Sequence, residues 1–356
     1  QPDDSKGALY YDTYHIKEQR CSSNEGMNLL EFEVTVYKNA VTIDLGTLTD
    51  DRIEITTSAK DDKTGGHMSK PEEKVTLIDT VEYEGLKKGQ EYRLVGTLMN
   101  QETGKPLTIA GKKVTSETTF KAKKSSGTVE VNFEFNGSDL GGKTVVVFEE
   151  LYHDKVKLAA HADITDKDQT IYFPKIKTTA KDSETNTKIS NPDSKVILLD
   201  MVSYENLIPG KEYKVSGTLM DKESKKPLEV DGKPVTSEAI FTPKESKGSI
   251  EIVFEFDGSE LAGKTTVVFE SLTYKEKEIA VHADIEDEAQ TIMFPKLKTT
   301  AKDGADGDQE VIESSNATIV DTVSYENLIS GETYRVIGIL MDKTTGAELM
   351  VNGAAV

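Results

Sequence analysis

The stretch AHADITDKDQTIYFPK, residues 160–175, returns as VHADIEDEAQTIMFPK at residues 281–296. The two histidines of these stretches are 121 residues apart, and so are the two glutamines. The same offset relates TTSAKD to two later copies of TTAKD, and it relates LIDTVEYEGL to LLDMVSYENL and IVDTVSYENL. A period of this length corresponds to a whole domain, because solenoid repeats are much shorter.

The offset divides the chain into copies of one domain. It predicts two full copies, at 56–176 and 177–297, and the N-terminal half of a third copy at 298–356. Residues 1–55 do not match the repeat, but their segment LLEFEVTVYKNAVTIDLG alternates as strands do. We therefore predict that they are the C-terminal part of an upstream β domain, and that a chain beginning at Gln1 is a processed or excised piece.

Apolar and polar residues alternate with a period of two throughout each copy. Examples are EYRLVGTL, GTVEVNFEF and KTVVVFEELY, which are separated by turn signals such as KKGQ and FNGSDLGGK. Such strands within a domain of this size predict an all-β fold of tandem Ig-like antiparallel β-sandwiches. The junctions FPKIKTTAKD and FPKLKTTAKD are short and contain Pro174 and Pro295, which favours a stiff rod.

The composition argues against several classes of function. The formal net charge is −20, and we find no basic patch for nucleic acid and no apolar stretch for membrane insertion. Cys21 is the single cysteine, so the chain can form no internal disulfide. His153 aligns with Tyr274 in the second copy, which argues against a shared metal site. We predict no cofactor and no metal.

Few polar residues recur within strand-like segments of the aligned copies. In the first copy they include Glu149, His161 and Gln169, and also Thr80, whose equivalents are Met201 and Thr322. Together with the segments DTV, GTLMD and GKTVVVFE and the ending H-x-D-x-x-D-x-x-Q-T, the pattern resembles the VaFE-repeat, or Thr–Gln ester-bond, domains. These domains occur in Gram-positive cell-surface proteins and adhesin stalks.

The resemblance implies an intramolecular ester in which a threonine hydroxyl displaces ammonia from a glutamine carboxamide. Carried over to the first copy, Thr80 would be joined to Gln169. His161 would take the hydroxyl proton, and Glu149 would polarise the carboxamide. We therefore expect the intact chain to have lost one ammonia, which Thr80→Ala would restore.

The resemblance also implies a second acid, which we place at the end of GTLMD. This position holds Asp221 and Asp342 in the later copies but Asn100 in the first, so Asp166 is the reserve candidate there.

The second and third copies depart from the pattern. Met201 replaces the threonine in the second copy, so we expect Gln290 to remain an amide although Glu270 and His282 are present. In the third copy, Thr322 has no partner glutamine in this chain.

The resemblance predicts a structural stalk segment in the extracellular cell wall of a Gram-positive bacterium, with self-crosslinking in place of enzymatic turnover. Its partners would be neighbouring domains of the same protein, and other domains would carry an unknown host or carbohydrate ligand. Two alternatives stay open: a ligand-binding adhesin module whose loops make the contact, and Lys–Asn or Lys–Asp isopeptides from Lys60, Lys181 and Lys302.

Overall fold

The computed structural model describes residues 9–37, 43–46, 48 and 52–356. Part of the predicted upstream β domain, including residues 38–42, lies outside the described residues. The described part contains one antiparallel pair formed by strands β1 (Asp12–Lys17) and β2 (Glu31–Val36).

The strands of the repeats continue the numbering in chain order. They are β3 (Glu54–Asp61), β4 (Val75–Glu84), β5 (Glu91–Asn100), β6 (Lys105–Pro106), β7 (Thr108–Ile109), β8 (Lys112–Lys113), β9 (Thr115–Lys121), β10 (Gly127–Phe135), β11 (Thr144–His153), β12 (Val156–His161), β13 (Thr170–Tyr172), β14 (Lys175–Asp182), β15 (Val196–Glu205), β16 (Tyr213–Asp221), β17 (Lys226–Pro227), β18 (Glu229–Val230), β19 (Lys233–Pro234), β20 (Thr236–Phe241), β21 (Gly248–Phe256), β22 (Thr265–Tyr274), β23 (Lys277–His282), β24 (Thr291–Met293), β25 (Lys296–Asp303), β26 (Ile319–Glu326), β27 (Met350–Val351) and β28 (Ala354–Ala355). The described helices are short 3-10 turns at Ser22–Asn24, Ser138–Leu140, Ser259–Leu261 and Glu288–Gln290.

The first repeat is built from two antiparallel sheets. One has three strands in the order β10-β4-β3. The other has six strands, with the path β12-β11-β5-β6, and with β9 paired to β5 and β13 paired to β11. The first strand of the repeat, β3, and its last strand, β13, therefore belong to different sheets.

The second repeat has the same two sheets. Their orders are β14-β15-β21 and β17-β16-β22-β23, with β20 and β24 paired as β9 and β13 are in the first repeat. In the third repeat, β25 pairs with β26 in the register that β14 and β15 use. The predicted fold class, tandem antiparallel β-sandwiches, is confirmed.

The core of each repeat lies between its two sheets. Alternation puts every second side chain inside, so β4 buries Val75, Leu77 and Val81. Phe133 from β10 and Leu151 from β11 approach from the two sheets and are at most 1% exposed. The period of two in the sequence thus becomes one apolar layer, whose burial drives folding.

The predicted boundaries at 56, 177 and 298 fall inside strands. β3, β14 and β25 each begin two residues earlier, at Glu54, Lys175 and Lys296. The alternation of KIKTTAKD and KLKTTAKD runs without a break from the junction into the strand, so the segment predicted as a linker is mostly strand.

The core of the second repeat supplies a test of this packing. Leu272 on β22 is fully buried, and Leu272→Ala should lower the free energy of unfolding by about 2–5 kcal/mol because it leaves a cavity. Val253 on β21 is 46% exposed, and Val253→Ala is the control, with an expected change within about 0.5 kcal/mol. Denaturant unfolding followed by circular dichroism measures both variants. Equal losses in the two would contradict the assignment of the inner face.

Candidate crosslinking site

Gln169 lies at the centre of a buried polar cluster in the first repeat. It directly precedes β13, its side chain is fully buried, and its backbone oxygen accepts a hydrogen bond from Val147 N at 3.1 Å. Its Nε2 donates to Asp79 Oδ1 at 3.0 Å and also to Thr57 Oγ1. The cluster therefore holds a hydroxyl group against a carboxamide inside the core.

Thr57 reaches this cluster from β3. The strand buries every second residue, so Thr57 and Ala59 point inward while Thr56 and Ser58 are exposed. The amide of Ala59 donates to the carbonyl oxygen of Asp168 at 2.8 Å. This bond ties the first strand of the repeat to the residue before Gln169.

Two carboxyl groups, Asp79 from β4 and Glu149 from β11, share this buried space. Both are fully buried, and in the described structure both Glu149 oxygens and Asp79 Oδ2 have no hydrogen-bond partner. Loss of hydration raises the pKa of Asp79, and burial together with the neighbouring Asp79 raises the pKa of Glu149 to about 10. Since two buried carboxylates would repel each other, the pair holds a proton at neutral pH.

His161 and Asp166 stand beside the carboxyl pair. His161 on β12 is opposite Glu149 in the strand register, and its Nε2 lies 2.6 Å from Asp166 Oδ2. Both side chains are partly exposed, at 25% and 21%. Asp166 therefore orients the imidazole, and it is not the second acid for which it was the reserve candidate.

The second repeat reproduces the cluster with four equivalent side chains. Gln290 is fully buried and donates to Asp200 Oδ1 at 3.1 Å and to Glu270 Oε1 at 2.9 Å. Thr178 on β14 is buried nearby, and its Oγ1 has no partner among the described residues. Burial and the adjacent Asp200 raise the pKa of Glu270 to about 10.

The flank of the second cluster is partly conserved and partly different. His282 Nε2 lies 2.6 Å from Asp287 Oδ2, as in the first repeat. Lys188, where the first repeat has His67, donates to the carbonyl oxygens of Ala180 and Ala289, and burial lowers its pKa. A lysine thus joins the first strand to the residue before Gln290.

The structure contradicts the predicted pairing of Thr80 with Gln169. Thr80 follows Asp79 on β4, and successive side chains of a strand point to opposite faces. Asp79 faces the core and Gln169, so Thr80 lies on the outer face. Met201, its equivalent, is 41% exposed and lies outside the second cluster, so it gives no reason for Gln290 to remain an amide.

The predicted second acid and the predicted threonine of the third repeat are also wrong. Asn100 and Asp221 end their strands and accept hydrogen bonds from the backbone amides of Thr103 and Ser224 in the turns that follow, and the second carboxyl group of each cluster is instead Asp79 or Asp200. Asp342 does the same for the turn after it. Thr322 pairs with Thr300 on the neighbouring strand, whereas the position equivalent to Thr57 is Thr299.

The sequence did contain signals for the missed residues. Thr57 has a threonine at the equivalent position of both later copies, Thr178 and Thr299, whereas the position of Thr80 does not. Asp79 likewise recurs as Asp200 and Asp321. Thr57 and Asp79 both meet two criteria. Each has the same residue at the equivalent position of every copy, and each lies at a position that the alternation of its strand turns inward.

The family model described as T-Q ester bond containing domain matches residues 53–173, 174–294 and 295–356. The chain belongs to this family. The resemblance to Thr–Gln ester-bond domains is thereby confirmed for three tandem copies.

Similar solved structures include a bacterial adhesin from Mobiluncus mulieris that contains intramolecular disulfide, isopeptide and ester bond cross-links. It is 15% identical, with a TM-score of 0.32, over 78% of this chain and 99% of that one. A glycosyl hydrolase family 2 member from Bacteroides cellulosilyticus is 9% identical, with a TM-score of 0.27, over 65% and 28% of the two chains. Likeness at this level carries no information about function. No curated protein matches the chain.

The described residues contain no helix long and apolar enough to cross a membrane. They also contain no group of three or more His, Cys, Asp or Glu side chains that could hold a metal ion.

The raised pKa of Glu149 predicts how stability depends on pH. Between its ordinary value of 4.5 and about 10, the folded protein binds more protons than the unfolded chain. The contribution is fully present below the ordinary value and is lost as pH rises, at up to about 1.4 kcal/mol per pH unit. Glu149→Gln should therefore flatten the pH dependence of the free energy of unfolding.

Urea denaturation at about pH 5 and about pH 8 measures this dependence. Thr57→Ala is the common background, because it removes the hydroxyl group beside Gln169 and with it any covalent bond. Glu130→Gln, at an exposed position of β10, is the control and should leave the slope unchanged. An equal slope in the Glu149→Gln and control chains would show that Glu149 is not the group that holds the proton in the folded state.

Proposed function

We propose that the chain is a load-bearing segment of a cell-surface, adhesin-like protein, and that each full repeat closes its own Thr–Gln ester. The bonds join Thr57 to Gln169 and Thr178 to Gln290. The proposal rests on family membership and on the two buried clusters, in which a threonine, a glutamine and two carboxyl groups occupy equivalent positions.

One observation carries the proposal. In the described chain, every buried side-chain oxygen or nitrogen without a hydrogen-bond partner belongs to one of the two clusters. Native cores satisfy nearly all buried polar groups, and exceptions need an explanation. They are the oxygens of Asp79, Glu149 and Gln169 in the first repeat and of Thr178, Asp200, Glu270 and Gln290 in the second. A site prepared for chemistry explains why all of them are here.

The reaction exchanges one bond for another. Thr57 Oγ1 attacks Cδ of Gln169, the Cδ–Nε2 bond breaks, and ammonia leaves. The hydroxyl hydrogen completes the leaving ammonia, so the balance is one alcohol and one carboxamide giving one ester and one ammonia. No oxidant, metal or cofactor takes part in this balance.

The acid pair supplies the proton that the leaving nitrogen needs. Gln169 Nε2 is already hydrogen-bonded to Asp79 Oδ1, so the proton held by Asp79 and Glu149 has a short path to that nitrogen. A protonated carboxyl also stabilises charge that develops on the amide oxygen, which has no donor in the described structure. The pair is restored when it receives the proton released by Thr57.

His161 is the group that moves that proton. It lies beside Glu149 in the strand register and contacts Asp166, which fixes its orientation. Histidine is the side chain most often used for proton transfer of this kind. Its partial exposure leaves it open to exchange protons with solvent.

The reaction depends on the fixed positions of the threonine hydroxyl and the glutamine amide, because neither group is reactive by itself. A primary amide is a poor electrophile and a threonine hydroxyl is a poor nucleophile, but fixed groups can reach effective molarities of about 10⁵–10⁸ M. Each repeat would react once, with itself, so the protein is not an enzyme with turnover.

The mechanical consequence follows from where the two residues lie. Thr57 lies on the first strand of the repeat, and Gln169 directly precedes the last strand. Both residues are therefore close to the ends of the matched range 53–173. A bond between them carries an end-to-end pull directly and leaves the sheet hydrogen bonds unloaded. By analogy with disulfides, closing a loop of 112 residues would also stabilise the fold by roughly 5 kcal/mol.

Location and partners follow from this role. A covalent clamp in a chain with a single cysteine suits an extracellular protein of the cell surface, such as a Gram-positive cell wall, where disulfides would otherwise serve. The direct partners are neighbouring domains of the same protein, and a host or carbohydrate ligand would be bound by other domains.

The isopeptide alternative finds no support in the position of its lysines. Lys60 and Lys302 lie on exposed positions of β3 and β25, and half-buried Lys181 donates to Asn186 Oδ1 in a turn. The carboxyl pairs lie on the opposite, inner side of these strands.

Intact-mass measurement of the purified chain tests the proposal. We expect a deficit of two ammonia molecules, one for each full repeat. Thr57→Ala and Thr178→Ala should each restore one, because each removes one nucleophile. Thr80→Ala and Met201→Ala are the matched controls and should leave the deficit unchanged.

The variants are needed to assign each lost ammonia to a Thr–Gln pair, because an N-terminal glutamine can also lose ammonia by cyclising. Peptide mapping of the parent should recover a linked pair of peptides containing Thr57 and Gln169. A full complement of ammonia in folded protein, or a deficit that Thr57→Ala and Thr178→Ala do not change, would overturn the proposal.

A further inference from the structure

We propose that each full repeat ends in a socket for the side-chain carboxamide of an asparagine in the following copy. We further infer that the residue at this position, 85, 206 or 327 in the three copies, specifies what can be joined in front of a repeat. This inference concerns the joints between repeats and is independent of ester formation.

The joint between the first two repeats centres on Asn206, just after β15. Its Nδ2 donates to the carbonyl oxygens of Lys143 at 2.6 Å and Phe173 at 3.2 Å, both in the first repeat. Its Oδ1 accepts a hydrogen bond from Thr144 Oγ1 at 2.9 Å. Two amide hydrogens and the amide oxygen all have partners across the joint, so the socket uses the whole group.

The joint between the second and third repeats has the same construction. Asn327 Nδ2 donates to the carbonyl oxygens of Lys264 at 2.5 Å and Phe294 at 3.2 Å, and Thr265 Oγ1 donates to Asn327 Oδ1 at 2.9 Å. The contact therefore belongs to the repeat as a unit and does not depend on one local sequence.

Backbone and side chain both select asparagine at this position. Asn206 and Asn327 have φ values of 64° and 63°, in the left-handed region that asparagine, aspartate and glycine tolerate best. Aspartate would present only acceptors to two carbonyl oxygens, and glycine has no side chain to bind. Asparagine alone satisfies both requirements.

Apolar and ionic contacts support the first joint. Met68 of the first repeat is 1% exposed and belongs to the core cluster of the second, against which Tyr172 also packs. Lys70 Nζ lies 2.5 Å from Glu278 Oε1 across the joint, although such a partly exposed pair adds little stability. The joint therefore combines apolar packing with the hydrogen bonds of Asn206. Together, these contacts would fix the angle between the repeats.

The first repeat carries glycine at the same position and has a different neighbour. A Cβ on Gly85 would lie 2.1 Å from the carbonyl oxygen of Arg52, so asparagine does not fit there. Gly85 instead uses its own carbonyl, which accepts from Asn28 Nδ2, and Ile53 N donates to Gly26 O at 2.8 Å nearby. The position thus holds glycine in the copy that follows the non-repeat segment, and it holds asparagine in the two copies that follow another repeat.

The test is the distribution of distances between the first two repeats in the full chain. Cys21→Ser removes the natural thiol, and spin labels are attached to cysteines at the exposed, equivalent positions Lys112 and Lys233. Double electron–electron resonance should give a narrow distribution for this parent. Asn206→Asp, which keeps the shape and the backbone preference but loses both donors, should broaden it.

Asn186→Asp is the matched control, since Asn186 also has a left-handed φ of 55° but lies in an exposed turn away from the joint. It should leave the distribution narrow. Thr144→Val removes the socket hydroxyl from the other side of the joint and should broaden the distribution without touching Asn206. Circular dichroism and intact mass should show unchanged folding and ammonia loss in all variants.

An unchanged width in both Asn206→Asp and Thr144→Val would overturn the socket. Equal broadening in the Asn186→Asp control would also overturn it, because the effect would then be general. Neither result bears on the ester, whose formation is read separately from the mass.

Discussion

The structure depends on one contact, between the first strand of a repeat and the segment that leads into its last strand. These two elements belong to opposite sheets, and the bond from Ala59 N to Asp168 O holds them together at the edge of the sandwich. With this contact in place, alternation on β3 turns Thr57 toward Gln169. A shift of one residue would turn Thr57 to the solvent face, where Thr56 and Ser58 now lie, and would remove its hydroxyl from the cluster.

The cluster works against the stability of the fold that contains it. Two carboxyl groups buried side by side, and amide oxygens that have no donor among the described residues, each destabilise the folded state relative to the solvated chain. The same burial raises the pKa of Glu149 and Glu270 and so provides the acid that the reaction needs. Chemistry of this kind is confined to the folded state, because only there do the groups meet and only there is the acid protonated. The proposed ester would then more than offset the destabilisation that the buried polar groups cause.

The sequence predicted the fold more completely than the site. The period of two in segments such as GTVEVNFEF and the offset of 121 residues were enough for tandem sandwiches, because both depend on patterns spread over many residues. Gln169, Glu149 and His161 were chosen because they lie in distinctive recurring segments, and the structure brings these three residues together. Thr80 was chosen in place of Thr57, and Asp79 was overlooked, because their selection depends on which face of a strand each residue occupies. An error of one residue along β4 exchanges the core for the outer surface.

Different interactions hold the molecule together within a repeat and between repeats. Inside a repeat, a covalent bond would join the ends of the sandwich, and between repeats an asparagine side chain and packed apolar residues fix the joint. The central claim is tested most directly by a high-resolution crystal structure of the chain. The account predicts continuous electron density from Thr57 Oγ1 to Cδ of Gln169 and from Thr178 Oγ1 to Cδ of Gln290, with no density for the amide nitrogens. Separate side chains at van der Waals distance, with both carboxamides intact in a folded protein, would contradict it.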